Sequence, residues 1–185
     1  MNNRKGFTIL ELIIVVAIIT ILATFLIPAG GKARERARQA KARSHIAALE
    51  VAITAFQTDF GFYPTSQFSG SSPNFTVNSG ATVESNNATI IQLLTGFSFS
   101  GGNRSASSNA LVTSSVWNGP YLDLDVSDVN GSGAMIDPWT NPYAFSLDLD
   151  GNPGTTPPSH NLYTFDISSA GPDESSGTSD DVINY

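Results

Sequence analysis

Residues 5–27 read KGFTILELIIVVAIITILATFLI, and the reading of this stretch decides the fold. From Phe7 to Ile27 there are 21 residues with one charge, Glu11. At ~1.5 Å per residue a helix of that length spans roughly 30 Å, the thickness of a bilayer's hydrocarbon core. A cleaved secretory signal usually has only about 7–15 apolar residues. The small residues Ala29-Gly30-Gly31 imitate a signal-peptidase site, but the basic run that follows is a poor start for a secreted chain. The segment is therefore read as an anchor. An ionised carboxylate inside a membrane helix costs about 3 kcal/mol on insertion scales. Glu11 either reaches the headgroups and favours the helix N-terminus, or it faces a partner.

Beyond the anchor the period is helical. Ala42, Ile46, Leu49, Ile53, Phe56 and Phe60 form a narrow apolar stripe at spacings of four and three. Pro28 cannot donate to the carbonyl four residues back, and Gly30-Gly31 adds flexibility beside it, so a kink or loosening is expected there. Taken from Phe7 to Phe60 as one interrupted helix, this makes ~80 Å. The apolar half needs a membrane or neighbouring helices, and the striped half needs a sheet. The fold expected is α+β: a long N-terminal helix, transmembrane half plus amphipathic half, packed lollipop-fashion on a small antiparallel-sheet head.

The net charge of −7 conceals an asymmetry. Eight of nine basic residues lie in residues 1–50; after that only Arg104 stands against thirteen acids, so that part carries 1 − 13 = −12. Such a body repels phosphates, which argues against nucleic-acid binding. The cations of residues 32–43 serve either as a solvated face near anionic lipid headgroups or as a contact for acidic heads of neighbouring copies. Counted alone they would hold the C-terminal side in the cytoplasm. The acidic, Ser/Asn/Gly-rich remainder suits the outside instead. Cysteine is absent, so there is no disulfide framework or thiolate metal site. His45 and His160 are single histidines without a cluster, and no nucleophile–base pair or phosphate loop is apparent, so the chain is not read as an enzyme.

Residues 64–115 are dense in Ser, Asn, Gly and Thr and read as loop, with a helical turn or two at residues 89–94. Asn74, Asn87, Asn103 and Asn130 begin N-x-S/T triplets that arise by chance in this composition. Order returns at residues 117–122, WNGPYL, and 137–143, DPWTNPY, where Pro and Gly punctuate turns and aromatics cover a small core. Short strands are expected at residues 144–147 and 161–165. Near the end, Asp180-Asp181 and Asp173 seven residues earlier, separated by Gly and Ser, can fold around one hard cation or belong to a disordered acidic tail. Two other acidic runs fail the EF-hand pattern. Aligning Gly131 to the loop glycine puts Val126 at the first ligand position, and aligning Gly151 puts Pro157 at the twelfth.

The string Lys5-Gly6-Phe7-Thr8-Ile9-Leu10-Glu11, after a basic leader and before about twenty apolar residues, resembles the signal of type IV pilins and type II secretion pseudopilins. The resemblance implies that a prepilin peptidase cuts between Gly6 and Phe7 and that the new amine of Phe7 is N-methylated. It implies that Glu11, then the fifth residue, serves assembly by meeting the Phe7 amine of a neighbouring subunit. Gly-Pro-Tyr-Leu at 119–122 and DPWTNPY resemble the head of the major pseudopilins, with Thr140 where Gly is usual. Residues 169–183, SAGPDESSGTSDDVI, are similar to their calcium loop. That implies Ca2+ held by Asp173, Asp180 and Asp181, with the backbone carbonyls of Ala170 and Thr178. Glu174 stands where Gly is common, and Val182 is inserted before Ile183.

The organisation that follows is a cleaved leader at 1–6, a transmembrane or filament-core helix at 7–28, and its amphipathic continuation at 29–63. A variable insertion at 64–116 and a β head with the calcium loop at 117–185 complete it. The function implied is a structural subunit in a homopolymeric periplasmic pseudopilus, the piston of type II secretion. An inner-membrane assembly platform and minor pseudopilins would be its partners. The subunit would wait in the inner membrane by a single pass, N-terminus cytoplasmic and head periplasmic. The alternatives are a type IV pilus subunit for adhesion or motility, or a signal-anchored, calcium-dependent binding module that never polymerises.

Overall fold

The structure, a computed structural model, describes residues 7–64, 75–76, 83–147 and 164–185. The leader with Gly6, the Asn74 triplet, His160 and residues 161–163 of the expected strand lie outside the described residues.

Helix α1, Ile9–Phe60, spans two compact units, Met1–Arg38 and Gln39–Tyr185. The backbone stays helical across Pro28, where a kink or loosening was expected. Proline removes only its own N–H, and long flanking turns hold the path on both sides. In the first unit the apolar side chains Ile9, Leu10, Leu12–Val16, Ile18, Ile19, Ile21 and Leu22 are all exposed on the single chain. The hydroxyls of Thr20 and Thr24 donate to the carbonyls of Val16 and Thr20 at 2.8 and 2.9 Å, so the polar atoms here are satisfied within the helix. Among the described residues no helix is long and apolar enough to cross a membrane. The side chains described in this run end at Thr24, while the sequence continues apolar through Phe25-Leu26-Ile27.

In the second unit the stripe on α1 is the spine of the core. Ala42, Leu49 and Phe56 are fully buried, Ile46 and Ile53 nearly so, and Phe60 packs at the edge, stacked on Phe56 with centroids 4.4 Å apart. Burying a Leu, Ile or Phe side chain contributes roughly 1.5–3 kcal/mol. The stripe therefore dominates the attachment of this part of α1.

The segment read as loop is largely ordered where it is described. Helix α2, Val83–Thr95, is longer than the turn or two expected, and it buries Ile90, Ile91, Leu93 and Leu94 in the same core. The run Ile90-Ile91-x-Leu93-Leu94 gives an apolar face wide enough to override the Ser/Asn propensity of the preceding turn. Strands β2, Phe97–Ser100, and β3, Asn103–Ala106, form a hairpin across Gly101-Gly102, in the register Phe97 to Ala106. Arg104 of β3 lies 3.6 Å over the Phe97 ring and donates to the Leu124 carbonyl at 3.4 Å, so the lone cation after residue 43 serves the head's own packing.

The main sheet is antiparallel, in the order β1–β4–β5–β6. Its strands are β1, Phe75–Thr76; β4, Ala144–Leu147; β5, Phe165–Ser169; and β6, Val182–Ile183. Strand β4 is where the alternation placed it. Strand β5 begins at Phe165, where the expected 161–165 strand ended, and continues through Ser169. Ala144 pairs with Ser168, and Ser169 with Val182.

Candidate metal centre and the charged helix start

The acidic loop leaves β5 at Ser169 and returns as β6 at Val182, so both of its ends are held by one strand pair. A short 3-10 turn, Gly171–Asp173, begins it. Gly171 has φ +65, and a Cβ there would stand 2.5 Å from the Asp180 carbonyl, so only glycine allows the two sides of the loop to approach. Asp173, Asp180 and Asp181 each present a carboxylate oxygen within 4.8 Å of the others. Three oxygens bound to one calcium at 2.3–2.6 Å can lie no farther apart than about 4.6–5.2 Å.

Donors from the loop partly hold these oxygens. The Thr178 hydroxyl lies 2.7 Å from Asp180 Oδ1 and 3.2 Å from Asp181 Oδ1, and its one proton serves one of them at a time. The Gly177 N–H donates to Asp181 Oδ2 at 2.6 Å, and the Asp173 N–H to Asp180 Oδ2 at 3.2 Å. The Thr178 hydroxyl above all, with backbone N–H groups, holds the Asp180 carboxyl below the usual carboxylate range despite some desolvation. Residues 164–185 contain no Lys, Arg or His. The donor set is thus made of hard oxygens, anionic and without an internal counter-ion, which fits a divalent cation such as calcium. Ala170 lies immediately before the 3-10 turn, and the Thr178 carbonyl accepts from the Asp181 N–H at 3.4 Å. Glu174, the position where glycine is common, has φ +59, and its side chain is exposed.

At the other end of the chain Glu11 makes a reciprocal cap. Its Oε2 accepts from the Thr8 N–H at 2.9 Å and the Thr8 hydroxyl at 3.0 Å, while its own N–H meets Thr8 Oγ1 at 3.2 Å. This T-x-x-E box satisfies helix-start donors within one chain. Of the two roles the sequence left open for Glu11, the one at its own helix N-terminus is the one formed within the single chain. Phe7, where the new amine would form, is 79% exposed.

Several polar residues that sequence reasoning passed over hold the head together. Asn87 is fully buried; its Nδ2 donates to the Met135 and Tyr143 carbonyls at 3.0 and 2.8 Å, and its Oδ1 accepts the Met135 N–H at 2.8 Å. It had been noticed only as the start of a triplet, and its burial leaves no room for a glycan. Asp137 accepts from the Trp139 and Asn141 N–H groups, both at 2.9 Å, and from the Ser169 hydroxyl at 2.6 Å. The Asp-Pro pair was a turn signal, and an Asp that accepts from the N–H two residues on is its usual chemistry. Asn184 bonds Ile167 in both directions, and its Nδ2 donates to Glu50 of α1 at 3.0 Å, so the end of the loop is tied to the helix. Tyr143 places its hydroxyl 3.1 Å from His45 Nδ1. Burial raises the Tyr143 phenol, while burial and then Lys41 hold His45 below its usual pKa.

Comparison with known proteins adds to this geometry. Residues 1–27 match the prokaryotic N-terminal methylation motif. Type II secretion system core protein G of Escherichia coli strain K12 is 28% identical, aligned over all of this chain and 92% of its own. Core protein G of Vibrio cholerae is 43% identical over 65 residues, which are 35% of this chain and 44% of that protein. PilA4, a type IV wide pilus major component of Thermus thermophilus, is 40% identical over 67 residues, 36% of this chain and 51% of its own. In the last two, less than two thirds of the relative's length is spanned.

Proposed function

We propose that this pilin-like chain, similar along its whole length to a type II secretion core protein G, is a structural subunit that polymerises into a periplasmic pseudopilus and drives export as its piston. The observation that carries the reading is the pairing of the methylation motif at residues 1–27 with that full-length alignment. The exposed apolar surface from Phe7 to Leu22 has no cover in the single chain and supports the same reading. Lipid would cover it before assembly and neighbouring helices afterwards. Prepilin peptidase would cut between Gly6 and Phe7, methylation of the Phe7 amine would follow, and the assembly platform and minor pseudopilins would receive the product.

Calcium belongs to the same proposal. Bound, it would supply the positive charge that the Asp173, Asp180 and Asp181 carboxylates lack. The loop's own residues hold those oxygens together through Thr178 and Gly177, and β5–β6 pairing fixes both ends. A cation that binds only the folded head stabilises it by mass action.

The test separates charge from capping at Glu11. Glu11→Gln keeps an acceptor for Thr8, whereas Glu11→Ala removes both acceptor and charge. In cells carrying a type II secretion apparatus, wild-type chain should give filaments by electron microscopy, and both variants should be processed but assemble poorly. Wild-type filament yield from Glu11→Gln would remove the assembly role of the charge. No filaments from the wild type would refute the polymer itself. The identity to PilA4 over 67 residues favours a second reading, a surface pilus subunit. In that case deletion would abolish surface fibres and leave secretion intact.

A further inference from the structure

The Asp137–Ser169 contact joins two parts of the head that are far apart in sequence, the DPWTNPY turn and the first residue of the acidic loop. Both side chains are buried, Ser169 fully and Asp137 to 4% exposure. Asp137 Oδ1 is occupied by the N–H groups of Trp139 and Asn141, and Oδ2 receives Ser169 Oγ at 2.6 Å. Asp137 Oδ2 accepts from the Ser169 hydroxyl, so the single Ser169 proton points at Asp137. The serine oxygen then turns its lone pairs toward Gly171, whose N–H donates to it at 3.2 Å. Gly171 is the residue whose backbone packs against the Asp180 carbonyl, at a φ of +65. The order of bonds therefore runs from the turn, through one hydroxyl, to the peptide that sets the spacing between the Asp173 and Asp180 sides of the loop.

We infer that Asp137 and Ser169 are positioning residues for the metal loop, so that cation affinity is set partly by a buried pair that does not touch the cation. The inference rests on the calcium reading above. A loop of three carboxylates resists closing until the cation arrives. Any bond that pre-sets the Gly171 turn reduces the ordering that binding must supply and so raises affinity. Ser169→Ala releases the Gly171 N–H and leaves Asp137 Oδ2 without its donor. Asp137→Asn substitutes a group that can donate to Ser169 and so reverse the hydroxyl's direction. Neither change removes a ligand.

The experiment measures the calcium dissociation constant of the full chain in detergent micelles by titration calorimetry. Metal-free melting temperature and amide exchange at Gly171 are followed in parallel. Ser169→Ala and Asp137→Asn should each raise Kd about tenfold, a loss of ~1.4 kcal/mol, and the double variant should be no worse than the poorer single one, since the two act as one unit. Gly171 exchange should quicken in the metal-free variants. Ser107→Ala removes another buried hydroxyl, one that accepts the Asn109 N–H away from the loop, and should leave Kd unchanged. A Kd within twofold of wild type in both single variants, with only the metal-free melting temperature lowered, would overturn the positioning role. Additive effects in the double variant would do the same. Absence of calcium heat in the wild type would refute the metal reading itself, and this inference with it.

Discussion

Thr140 sits at φ +78, a region that a β-branched residue rarely enters. It closes the Asp137 turn. Its N–H donates to the Asp137 carbonyl at 3.0 Å, and the next N–H, of Asn141, donates to Asp137 Oδ1 at 2.9 Å. Those bonds hold the backbone there whatever the side chain prefers. The side chain itself is exposed, so removing it loses little packing. A non-glycine residue in the left-handed region costs roughly 1–2 kcal/mol. Glycine gives back about 0.5–1 kcal/mol through its freer unfolded chain. Thr140→Gly should therefore stabilise the head by about 0.5–1 kcal/mol, which for a domain of this size raises the melting temperature by roughly 1–4 °C.

Thermal unfolding followed by circular dichroism, in chelator and again in calcium, is the assay. A substitution series makes the cause visible. Asn tolerates the left-handed region and should fall between Gly and Thr, whereas Ala keeps its Cβ and should stay near Thr. If Thr140→Gly melts at or below wild type, or if Thr140→Ala gains as much as Gly does, backbone strain is not the operative cost at this turn.

Glu174, at φ +59 in the acidic loop, should behave in the same way: Glu174→Gly is expected to raise the metal-free melting temperature by a similar amount, with unchanged stability as the contrary result. Asn87→Ala strips partners from the Met135 N–H and from the Met135 and Tyr143 carbonyls, and should cost about 3 kcal/mol or more in denaturant unfolding. His45 is held below its usual pKa, by burial first and by Lys41 next, against the opposing pull of Asp128 and Asp137. The unfolded chain therefore takes up the proton first. Its contribution to stability is complete above about pH 6.5 and is lost as pH falls through the depressed folded value. A melting temperature that declines below pH 6.5 in the wild type, and less steeply in His45→Gln, is expected. Parallel slopes would assign the decline to other groups.

What the sequence disclosed about the fold followed the strength of its periods. The α1 stripe names core residues because six apolar positions at spacings of four and three leave one buried face. Strand β4 follows from alternation bounded by Pro142. Helix α2 was underestimated because its first turns carry Ser85 and Asn86, weaker helix formers that favour caps and turns, ahead of a short apolar run. Tertiary burial of Ile90, Ile91, Leu93 and Leu94, with Asn87 pinned to the distant backbone of Met135 and Tyr143, decides the matter there. No local pattern carries that information. The hairpin was missed for a related reason: β3 is exposed along its length, and Gly101-Gly102 was its main signal.

The candidate site divides along the same line. Its three carboxylates were legible because charge, spacing and flexible intervening residues are all local properties. The pair that positions them was not, because Asp137 and Ser169 are 32 residues apart and neither is unusual by itself. Yet the two glycine replacements noted in the sequence, Thr140 and Glu174, both have positive φ, and both lie in segments connected through that pair. At Thr140 the bonds to Asp137 supply the restraint; at Glu174 the adjacent 3-10 turn, anchored at Gly171 by Ser169, supplies it. If the Asp137 side chain restrains both turns, Asp137→Ala should reduce the gain from Thr140→Gly as well as weaken calcium binding, because it removes the acceptor of the Trp139 and Asn141 N–H groups and a loosened turn no longer holds Thr140 in the left-handed region. A full gain in that background would mean that the turn keeps its shape without the Asp137 carboxylate.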